Sequence, residues 1–353
     1  MNTEKIAVLV SGGIDSAVSA YLLKQQGFEV VGVFLILMHL DQPELLEQRR
    51  LQAEKICLRL DIPFHTLTFS SHFKENVFDP FMKAYAQGWT PNPCVRCNKS
   101  IKFGEAMDYV LNTLDASRMA TGHYVRLLQD ERGYILKKGL DPAKDQSYVL
   151  YTLNQQQLSK LAFPLGEYHK EDIKTMAQTH LPEITFSGES VDLCFTSKDY
   201  HALLTEKTGD IVDTHGKVLG KHQGIHRYTV GQRQGLGIAA PYPLYVVDLV
   251  PEKNQVVVGE KSVVFRKALL ASDVHAILPG DLDRRISAKA KIRYASPEQD
   301  CSSEPMEDKL KITFHEPQFA ITKGQSVVLY DEDRLLGGGI ISKITQGDGS
   351  FVL

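Results

Sequence analysis

The first part of the chain alternates short apolar runs with longer helical patterns, and this alternation constrains the fold more than any other feature. The runs IAVLV, VVGVFLIL and PFHTLTF have the length of strands, and the segments between them, AVSAYLLKQQ and LEQRRLQAEKICLRL, have helical spacing. Strands separated by such helices form right-handed βαβ units and a parallel sheet. We therefore predict an α/β fold whose first domain contains a parallel sheet.

The pattern changes after about Thr208. Short strands with glycines follow at DTHGKVLG and VGQRQGLG, and runs of alternating polarity appear in AKAKIRY, LKITF and SVVLYD. Such patterns are typical of small β-rich domains, the last being a barrel or a sandwich. A length of 353 residues suits two or three domains. We place them at residues 1–201, 202–268 and 269–353, the last a C-terminal β-barrel.

Composition predicts a globular, cytoplasmic protein that does not span a membrane. Hydrophobic residues make up 43% and charged residues 24% of the chain, which excludes disorder and a fibrous structure. The first residues carry no basic leader, and the longest apolar run, near 30–40, is short of the roughly 20 residues of a membrane helix. Five cysteines, an odd number, favour a reducing compartment.

Charge is unevenly distributed along the chain. The net charge is -3, yet residues 214–293 carry 13 Lys and Arg against 6 Asp and Glu, whereas residues 298–353 carry 5 against 10. Nucleic-acid binding needs only a local basic patch. The middle of the chain is therefore the candidate phosphate-facing side.

The hexapeptide Ser11-Gly12-Gly13-Ile14-Asp15-Ser16 follows the first strand and precedes a helix. Paired glycines let backbone amides turn toward a ligand, and the helix start favours an anion. The plainer interpretation is a tight turn in which Asp15 or Ser16 caps the helix. The chain has no G-x-x-x-x-G-K-[ST] motif, which argues against kinase and GTPase chemistry.

The hexapeptide resembles the PP-loop of the N-type ATP pyrophosphatases, which cleave ATP between the α- and β-phosphates and adenylate a substrate. The resemblance implies that the loop holds the departing pyrophosphate, with Mg²⁺ assisting. It also places Gly122 and His123, after a predicted strand at MATGHYV, at the ligand-binding edge of the sheet; core packing is the alternative for His123. The implied ATP contacts are Leu9, Val10, Ser11, Gly12, Gly13, Ile14, Asp15, Ser16, Leu35 and Gly122.

Cys94 and Cys97 form a C-x-x-C pair behind the rigid segment Thr90-Pro91-Asn92-Pro93. A helix start near Lys99 and nearby basic residues predict a lowered thiol pKa at this pair. Structural zinc is the alternative, but the chain has no second pair with matching spacing. By itself, Cys194 predicts a buried core thiol. Cys57 shares a helical face with apolar neighbours and predicts packing, and Cys301, between Asp300 and Ser302, predicts an incidental surface residue.

The motifs SGGIDS, TPNPCVRCNKSIKF, TGHY, KDQSYVL, DLCF, YTVGQRQGLG and KIRY, in this order, resemble the tRNA-specific 2-thiouridylase family over nearly the whole chain. The resemblance implies adenylation of the C2 oxygen of the wobble uridine in tRNAs for Lys, Glu and Gln. It makes Cys194 the persulfide carrier and Cys97 the second thiol, with Asp15 catalytic in the loop. The implied tRNA contacts are Asn92, Pro93, Cys94, His123, Lys144, Asp145, Gln146, Arg293, Tyr294 and Gln325.

One position departs from the family pattern. Cys94 stands where the best-described members have aspartate, so the group that would accept the uridine proton is unassigned. Cys94, Cys97 and Cys194 could instead bind a [4Fe-4S] cluster that carries sulfide, as in related sulfur-transfer enzymes. The persulfide route requires a donor such as a cysteine desulfurase or a relay protein.

Two other functions remain open at the level of sequence. A small-molecule PP-loop synthetase would need an ammonia source and no thiol. A non-catalytic RNA-binding protein could use a degenerate nucleotide fold for docking, although the intact loop argues against it.

Overall fold

The chain divides into two compact units. The computed structural model describes residues 4–182, 184, 193–196, 204 and 206–345. The first unit comprises Met1–Val77, Cys94–Lys198 and Asp333–Leu335; the second comprises Phe78–Pro93, Asp199–Glu332 and Leu336–Leu353. The proposed domain limits stay a prediction, and the one at 201/202 lies outside the described residues.

The first unit is built on a five-stranded sheet in which all neighbouring strands are parallel. Its spatial order is β3-β2-β1-β4-β7. The chain first adds β2 and β3 on one side of β1 and then adds β4 and β7 on the other side. The strand order therefore reverses between β1 and β4, which flank a topological switch point. The strands are β1 (Lys5–Leu9), β2 (Glu29–Ile36), β3 (Phe64–Thr68), β4 (Arg118–Ala120) and β7 (Leu161–Ala162).

Helices connect these strands and cover a core of aliphatic side chains. Ile6 and Val8 of β1 pack with Ala17 of the first helix and Ile56 of the second. Cys57 lies in this core and is fully buried, which confirms its predicted packing role. The helices are α1 (Ile14–Gln25), α2 (Pro43–Arg59), α3 (Ser70–Phe73), α5 (Pro93–Cys97), α6 (Ala106–Asn112), α7 (Gln155–Leu158) and α8 (Lys170–His180), with π-helical turns at Lys74–Phe78 and Asn98–Glu105 and a 3-10 turn at Ser147–Leu150.

An antiparallel hairpin of β5 (Val125–Asp130) and β6 (Gly133–Lys138) also belongs to the first unit. The runs VRLLQ and GYILKKG predict a hairpin from the sequence, and the antiparallel pairing confirms it. Asp333, in the short segment Asp333–Leu335, forms ion pairs with two residues of the hairpin. Its Oδ2 lies 2.7 Å from Arg126 Nη2, and its Oδ1 lies 3.2 Å from Lys137 Nζ. The hairpin is therefore fastened to the last stretch of this unit by charged side chains.

The second unit contains a helix, a four-stranded sheet and a six-stranded barrel. The helix α4 (Asp79–Ala86) belongs to this unit. The sheet has the order β10-β11-β8-β9. Its strands are β8 (Gly209–Asp213), β9 (Val218–His222), β10 (Tyr245–Val250) and β11 (Gln255–Gly259), with 3-10 turns at Ile225–Arg227, Pro251–Lys253 and Lys261–Val264.

The barrel closes because its first strand pairs with its last. The strand order is β12-β15-β14-β13-β16-β17, and β12 also pairs with β17. The predicted α/β class with a parallel N-terminal sheet and a C-terminal β-barrel is thus confirmed. The strands are β12 (Phe265–Ala276), β13 (Ile286–Lys291), β14 (Gln299–Met306), β15 (Lys309–Phe319), β16 (Ser326–Asp331) and β17 (Arg334–Ile344).

Within the part of the chain that the structure describes, no helix has both the length and the apolar character needed to cross a membrane.

Cys301 is not a surface residue, and that prediction was wrong. It is fully buried in the barrel core, where its thiol donates to the carbonyl of Ala288 at 3.3 Å. In β14 successive side chains point to opposite faces, so Cys301 points inward between the outward Asp300 and Ser302. The polar neighbours that suggested exposure therefore describe the other face of the strand.

We expect Cys301→Ser to lower the free energy of unfolding by about 1–3 kcal/mol, because a hydroxyl is less favourable than a thiol in an apolar core. Met306→Ala is the control, since Met306 lies at the exposed end of the same strand and its change should stay within about 0.5 kcal/mol. Urea denaturation followed by circular dichroism measures both. Equal stability of the Cys301 variant and the parent would contradict the buried position.

Candidate active site

The loop between β1 and α1 has the geometry of an anion-binding turn. Gly12 has φ +83°, and a Cβ there would lie 2.7 Å from the carbonyl oxygen of Arg49, so only glycine fits. Ser11 and Ser16 face each other across the loop, because the amide of Ser11 donates to Ser16 Oγ at 3.1 Å. Ser16 Oγ in turn donates to the carbonyl of Gly13 at 2.9 Å. The loop is thus closed by its own side chains before any ligand enters.

The start of α1 is not capped by a side chain. The cap position is occupied by Gly13, which has no side chain that could accept a hydrogen bond from the first amides of the helix. Of the two capping candidates, Ser16 bonds within the loop and Asp15 bonds to other groups, as described below. The plain capped-turn alternative is therefore not what forms. Backbone amides and the positive end of the helix dipole are the groups that an anion would meet at this end of α1.

Gly122 lies directly against this loop. A Cβ at Gly122 would approach the carbonyl carbon of Asp15 at 3.0 Å and the amide nitrogen of Ser16 at 3.1 Å. The strand predicted at MATGHYV ends earlier, at Ala120, so Gly122 sits in the turn beyond β4. The two ends that flank the switch point thus come into contact through a glycine, where the sheet is expected to bind its ligand.

His123 is buried beside the loop. Its Nδ1 is hydrogen-bonded to Thr121 Oγ1 at 2.8 Å, and its ring lies 5.8 Å from that of Phe103. Burial, assisted by the nearby positive charge of Lys102, holds the pKa of His123 well below its usual range. The imidazole is therefore neutral at physiological pH. Its predicted contact with tRNA stays a prediction.

Two side chains that the sequence did not single out converge on Asp15. The hydroxyl of Tyr124 donates to Asp15 Oδ1 at 2.6 Å, and Lys170 Nζ donates to the same oxygen at 2.5 Å. Tyr124 is the last residue of the TGHY motif, which was a usable signal. Lys170 lies 155 positions from Asp15, and no motif in the sequence points to it.

Gln146 and Asp145, predicted to contact tRNA, hold the chain next to Tyr124. The amide of Tyr124 donates to Gln146 Oε1 at 3.0 Å, and the Gln146 amide donates to the Tyr124 carbonyl at 3.0 Å. Asp145 accepts from the amide of Gly139 at 3.1 Å and from Ser147 Oγ at 2.9 Å. Both side chains therefore shape the segment that carries Lys144.

Cys97 does not have the low thiol pKa that its basic neighbours suggested, so that prediction was wrong. Burial raises the pKa of Cys97 to about 12, against an opposing effect of Lys102. Cys94 and Cys97 lie inside α5, which continues directly into the π-helical turn Asn98–Glu105. Cys97 therefore has helical backbone on both sides, and the lost hydration of its thiol outweighs the effect of the nearby ammonium of Lys102.

Cys194 approaches the C-x-x-C pair from a distant part of the chain. Its pKa is raised, first by the surrounding protein and then by Cys94, and Cys97 likewise responds to both other thiols. The residue is nevertheless exposed, as is Cys94. It is therefore not the core thiol that its sequence alone predicted. The three cysteines are close enough for their charges to influence one another.

The segment that carries Cys194 is attached to the loop after β2. The amide of Leu40 donates to the Phe195 carbonyl at 2.9 Å, and the Phe195 ring packs 5.7 Å from that of Phe73. Residues of the DLCF motif and its surroundings before Leu193 lie outside the described residues. Leu35, the predicted adenine contact, is half-buried in β2, one residue before that strand ends.

The described residues do not form a metal site. Among them, no group of three or more His, Cys, Asp or Glu side chains is arranged to hold an ion. The three neighbouring thiols as placed therefore do not fit a [4Fe-4S] cluster, and we derive no step through one. The assistance by Mg²⁺ that the resemblance implies stays a prediction.

The remaining tRNA candidates belong to the second unit. Gln325 Nε2 donates to the carbonyl of Thr90 at 3.0 Å, which places it beside the segment of Asn92 and Pro93. Arg293 donates to the Ala320 carbonyl at 2.6 Å and to Thr322 Oγ1 at 2.8 Å. Tyr294 next to it is exposed. The barrel thus presents Tyr294 on an arginine-braced turn.

A polar groove crosses the outer face of the barrel in the second unit. Its volume is about 530 Å³. Ser287 faces Ser302 across one strand pair, and Ser302 faces Thr313 across the next, which gives a row of hydroxyls. Lys267 and Arg285, both from the basic middle segment, line it together with His315. We call this the barrel groove.

Family models match three consecutive parts of the chain. The tRNA methyl transferase HUP domain matches residues 4–198, the tRNA methyl transferase PRC-barrel domain matches 200–260, and the aminomethyltransferase beta-barrel domain matches 266–341. The chain is thus a HUP-domain protein with a central PRC-barrel domain and a C-terminal β-barrel.

Relatives that match over nearly the whole chain identify the family within this class. The chain is 45% identical over 344 residues to a tRNA-specific 2-thiouridylase MnmA of Syntrophomonas wolfei, covering 96% of the chain and 99% of that protein. It is 42% identical over 353 residues to tRNA-specific 2-thiouridylase MnmA 1 of Clostridium tetani, covering 97% of each. The chain belongs to the tRNA-specific 2-thiouridylase family, a family of tRNA sulfurtransferases.

A solved U34-tRNA thiolase NcsA from Methanococcus maripaludis with its [4Fe-4S] cluster is a more remote match. It is 19% identical, covers 55% of this chain and 62% of that one, and has a TM-score of 0.37. A likeness this low carries no argument about a cluster in this chain.

We expect the five thiols to react with iodoacetamide at pH 8 in an order that follows exposure and pKa. Exposed Cys94 should react first and Cys194, with its raised pKa, second. Buried Cys97, Cys57 and Cys301, each with a pKa raised to about 12, should stay unmodified. With a pKa of about 12, only about one thiol in 10,000 is a thiolate at pH 8.

Peptide mass spectrometry after timed quenching measures this order. Protein denatured in urea is the control, in which all five sites should react at similar rates. Modification of Cys97 as fast as that of Cys94 in the folded protein would show that its thiol is not held as described.

Proposed function

We propose that this enzyme thiolates the wobble uridine of tRNA at C2 in an ATP-dependent reaction. The observation that carries the proposal is that one unit contains both an anion-binding loop and three neighbouring thiols from two distant segments, with Lys102 acting on Cys97, Cys194 and the loop-side His123. Family membership supports tRNA as the substrate. By the same resemblance we infer tRNAs for Lys, Glu and Gln, and the five free cysteines support a cytoplasmic site of action.

The first step in this proposal activates the base. The uridine C2 oxygen attacks the α-phosphorus of ATP, the bond to the β-phosphate breaks, and pyrophosphate leaves as N3 loses its proton. A pyrimidine oxygen is a very poor leaving group until it is esterified in this way, and the loop would hold the departing pyrophosphate. The target base has to be turned out of its stack to reach the loop.

The second step delivers sulfur. The terminal sulfur of a persulfide on Cys194 attacks C2, and AMP leaves. Cys97 then attacks the Cys194 sulfur, which releases the 2-thiouridine and forms a Cys97–Cys194 disulfide. A thiol reductant restores the pair, and a protein persulfide donor such as a cysteine desulfurase or a relay protein reloads Cys194.

The difference in exposure between Cys194 and Cys97 supports this division of roles. A carrier has to meet a donor protein at the surface, and Cys194 is exposed. The second thiol reacts only with Cys194, so a buried Cys97 is compatible with its role. Two alternatives are less well supported: a cluster lacks a ligand arrangement among the described residues, and a small-molecule synthetase has no use for the thiols.

We expect the two halves of the reaction to separate in variants. Cys97→Ser and Cys194→Ser should each abolish thiolation of tRNA but retain single-turnover release of pyrophosphate. Asp15→Ala should abolish both, because it removes the carboxylate on which Tyr124 and Lys170 converge. Cys57→Ser is the control and should keep both activities, since Cys57 lies in the sheet core.

Thiolated tRNA is measured on mercury-containing gels, and pyrophosphate release is measured with labelled ATP. Retained thiolation in Cys194→Ser would remove the persulfide role from that residue. Normal pyrophosphate release by Asp15→Ala would show that the loop has been misassigned.

We further expect the barrel groove to contact tRNA phosphates. Lys267→Gln and Arg285→Gln should each weaken binding and reduce the slope of log K against log salt by about 1, the loss of one phosphate contact. Lys309→Gln, the same loss of charge on the barrel but outside the groove, should leave the slope unchanged.

Filter binding of labelled tRNA over a series of salt concentrations measures the slopes. Affinity for ATP should be the same in all three variants. An unchanged slope in both groove variants would exclude the groove from the tRNA interface.

A further inference from the structure

Asp15 presents an electrostatic problem in the loop. It supplies a carboxylate to the first turn of α1, at the place where backbone geometry favours an anion. A carboxylate a few ångströms from a polyphosphate repels it, and this repulsion is strong where water is partly excluded. The loop can accept ATP well only if the charge of Asp15 is compensated.

Lys170 provides a positive charge at this point. Its ammonium donates to Asp15 Oδ1 at 2.5 Å, and the same oxygen accepts the hydroxyl of Tyr124 at 2.6 Å. The ammonium also lies 5.8 Å from the centre of the Tyr124 ring, over its face. Lys170 is buried, and its side chain retains only 11% of its accessible surface. A lysine so placed requires a fixed partner for its charge.

The position of Lys170 is set by packing rather than by the ion pair alone. It is the first residue of α8, and its backbone amide donates to Asp141 Oδ2 at 2.9 Å. Further along α8, Ile173 and Ala177 pack on Val18 of α1 in a small core. The ammonium is therefore delivered to the loop by a helix that is itself fixed to α1.

We propose that Lys170 is a positioning residue of the ATP loop, which neutralises and orients Asp15 so that the polyphosphate of ATP can bind. This inference rests on the proposed function only in requiring that the loop binds ATP. Tyr124 shares the orienting role through its hydroxyl. The carboxylate remains in the loop for chemistry, while its charge is cancelled before the nucleotide arrives.

Binding of ATP in the presence of EDTA tests the proposal, because no divalent cation can then replace the missing positive charge. Lys170→Met should bind ATP about 10- to 100-fold more weakly, since Asp15 is left uncompensated. Lys170→Arg should bind like the parent. Asp15→Asn should bind at least as tightly as the parent, because the ammonium then acts on the phosphates alone.

The double variant Lys170→Met/Asp15→Asn is the decisive arm. With neither charge present, the repulsion is gone, and affinity should return to within about threefold of the parent. A merely structural role for Lys170 predicts no such recovery. Equilibrium dialysis with labelled ATP gives the dissociation constants, and thermal melting reports whether each variant is folded.

Lys174→Met is the matched control. Lys174 lies one turn further along α8, where it forms an exposed ion pair with Glu171 at 2.8 Å, and its change should leave ATP affinity unaltered. Unchanged affinity in Lys170→Met, or a double variant as weak as Lys170→Met, would overturn the role of Lys170 alone. Weaker binding by Asp15→Asn would do the same without relying on a lysine variant. A parent protein that binds no ATP either in EDTA or with Mg²⁺ present would overturn the proposed function as well.

Discussion

The contact between Gly122 and the backbone of Asp15 and Ser16 is the constraint on which the site depends. It exists because β1 and β4 are neighbours at the switch point of the sheet, so the turns that follow them meet at one edge. A side chain at 122 would force the backbone of the loop to shift by a few tenths of an ångström. The same backbone carries Asp15, so the 2.6 Å hydrogen bond from the Tyr124 hydroxyl would be disturbed.

Local sequence signals predicted the elements that depend on local chemistry. The glycines of the loop, the strand and helix alternation and the β5–β6 hairpin all follow from residue spacing or turn residues, and the structure has each of them. The prediction for Cys301 was wrong because its flanking polar residues lie on the opposite face of the strand, and the sequence does not show which face points inward. Lys170 could not be found because its partner is 155 positions away and only the packing of α8 brings them together.

The prediction for Cys97 failed for a different reason. Its basic neighbours are real, and Lys102 does act to lower the pKa of the thiol. What spacing could not supply was the depth of the residue: buried at the end of α5, the thiol loses its hydration, and the desolvation exceeds the effect of one ammonium. A charge pattern gives the sign of one contribution to a pKa, whereas the fold decides which contribution is larger.

The same balance gives the buried thiol a way to become reactive. Lys102 acts on Cys97, on Cys194 and on His123, so one cation serves the whole cluster. Any movement that admits water to Cys97 removes the desolvation and leaves Lys102, which then lowers the thiol pKa. Because desolvation is the larger of the two effects, access to water, not the placing of a new charge, controls when the Cys97 thiol can ionise. The pKa of Cys194 is also raised, with desolvation as the largest cause, although this residue is exposed.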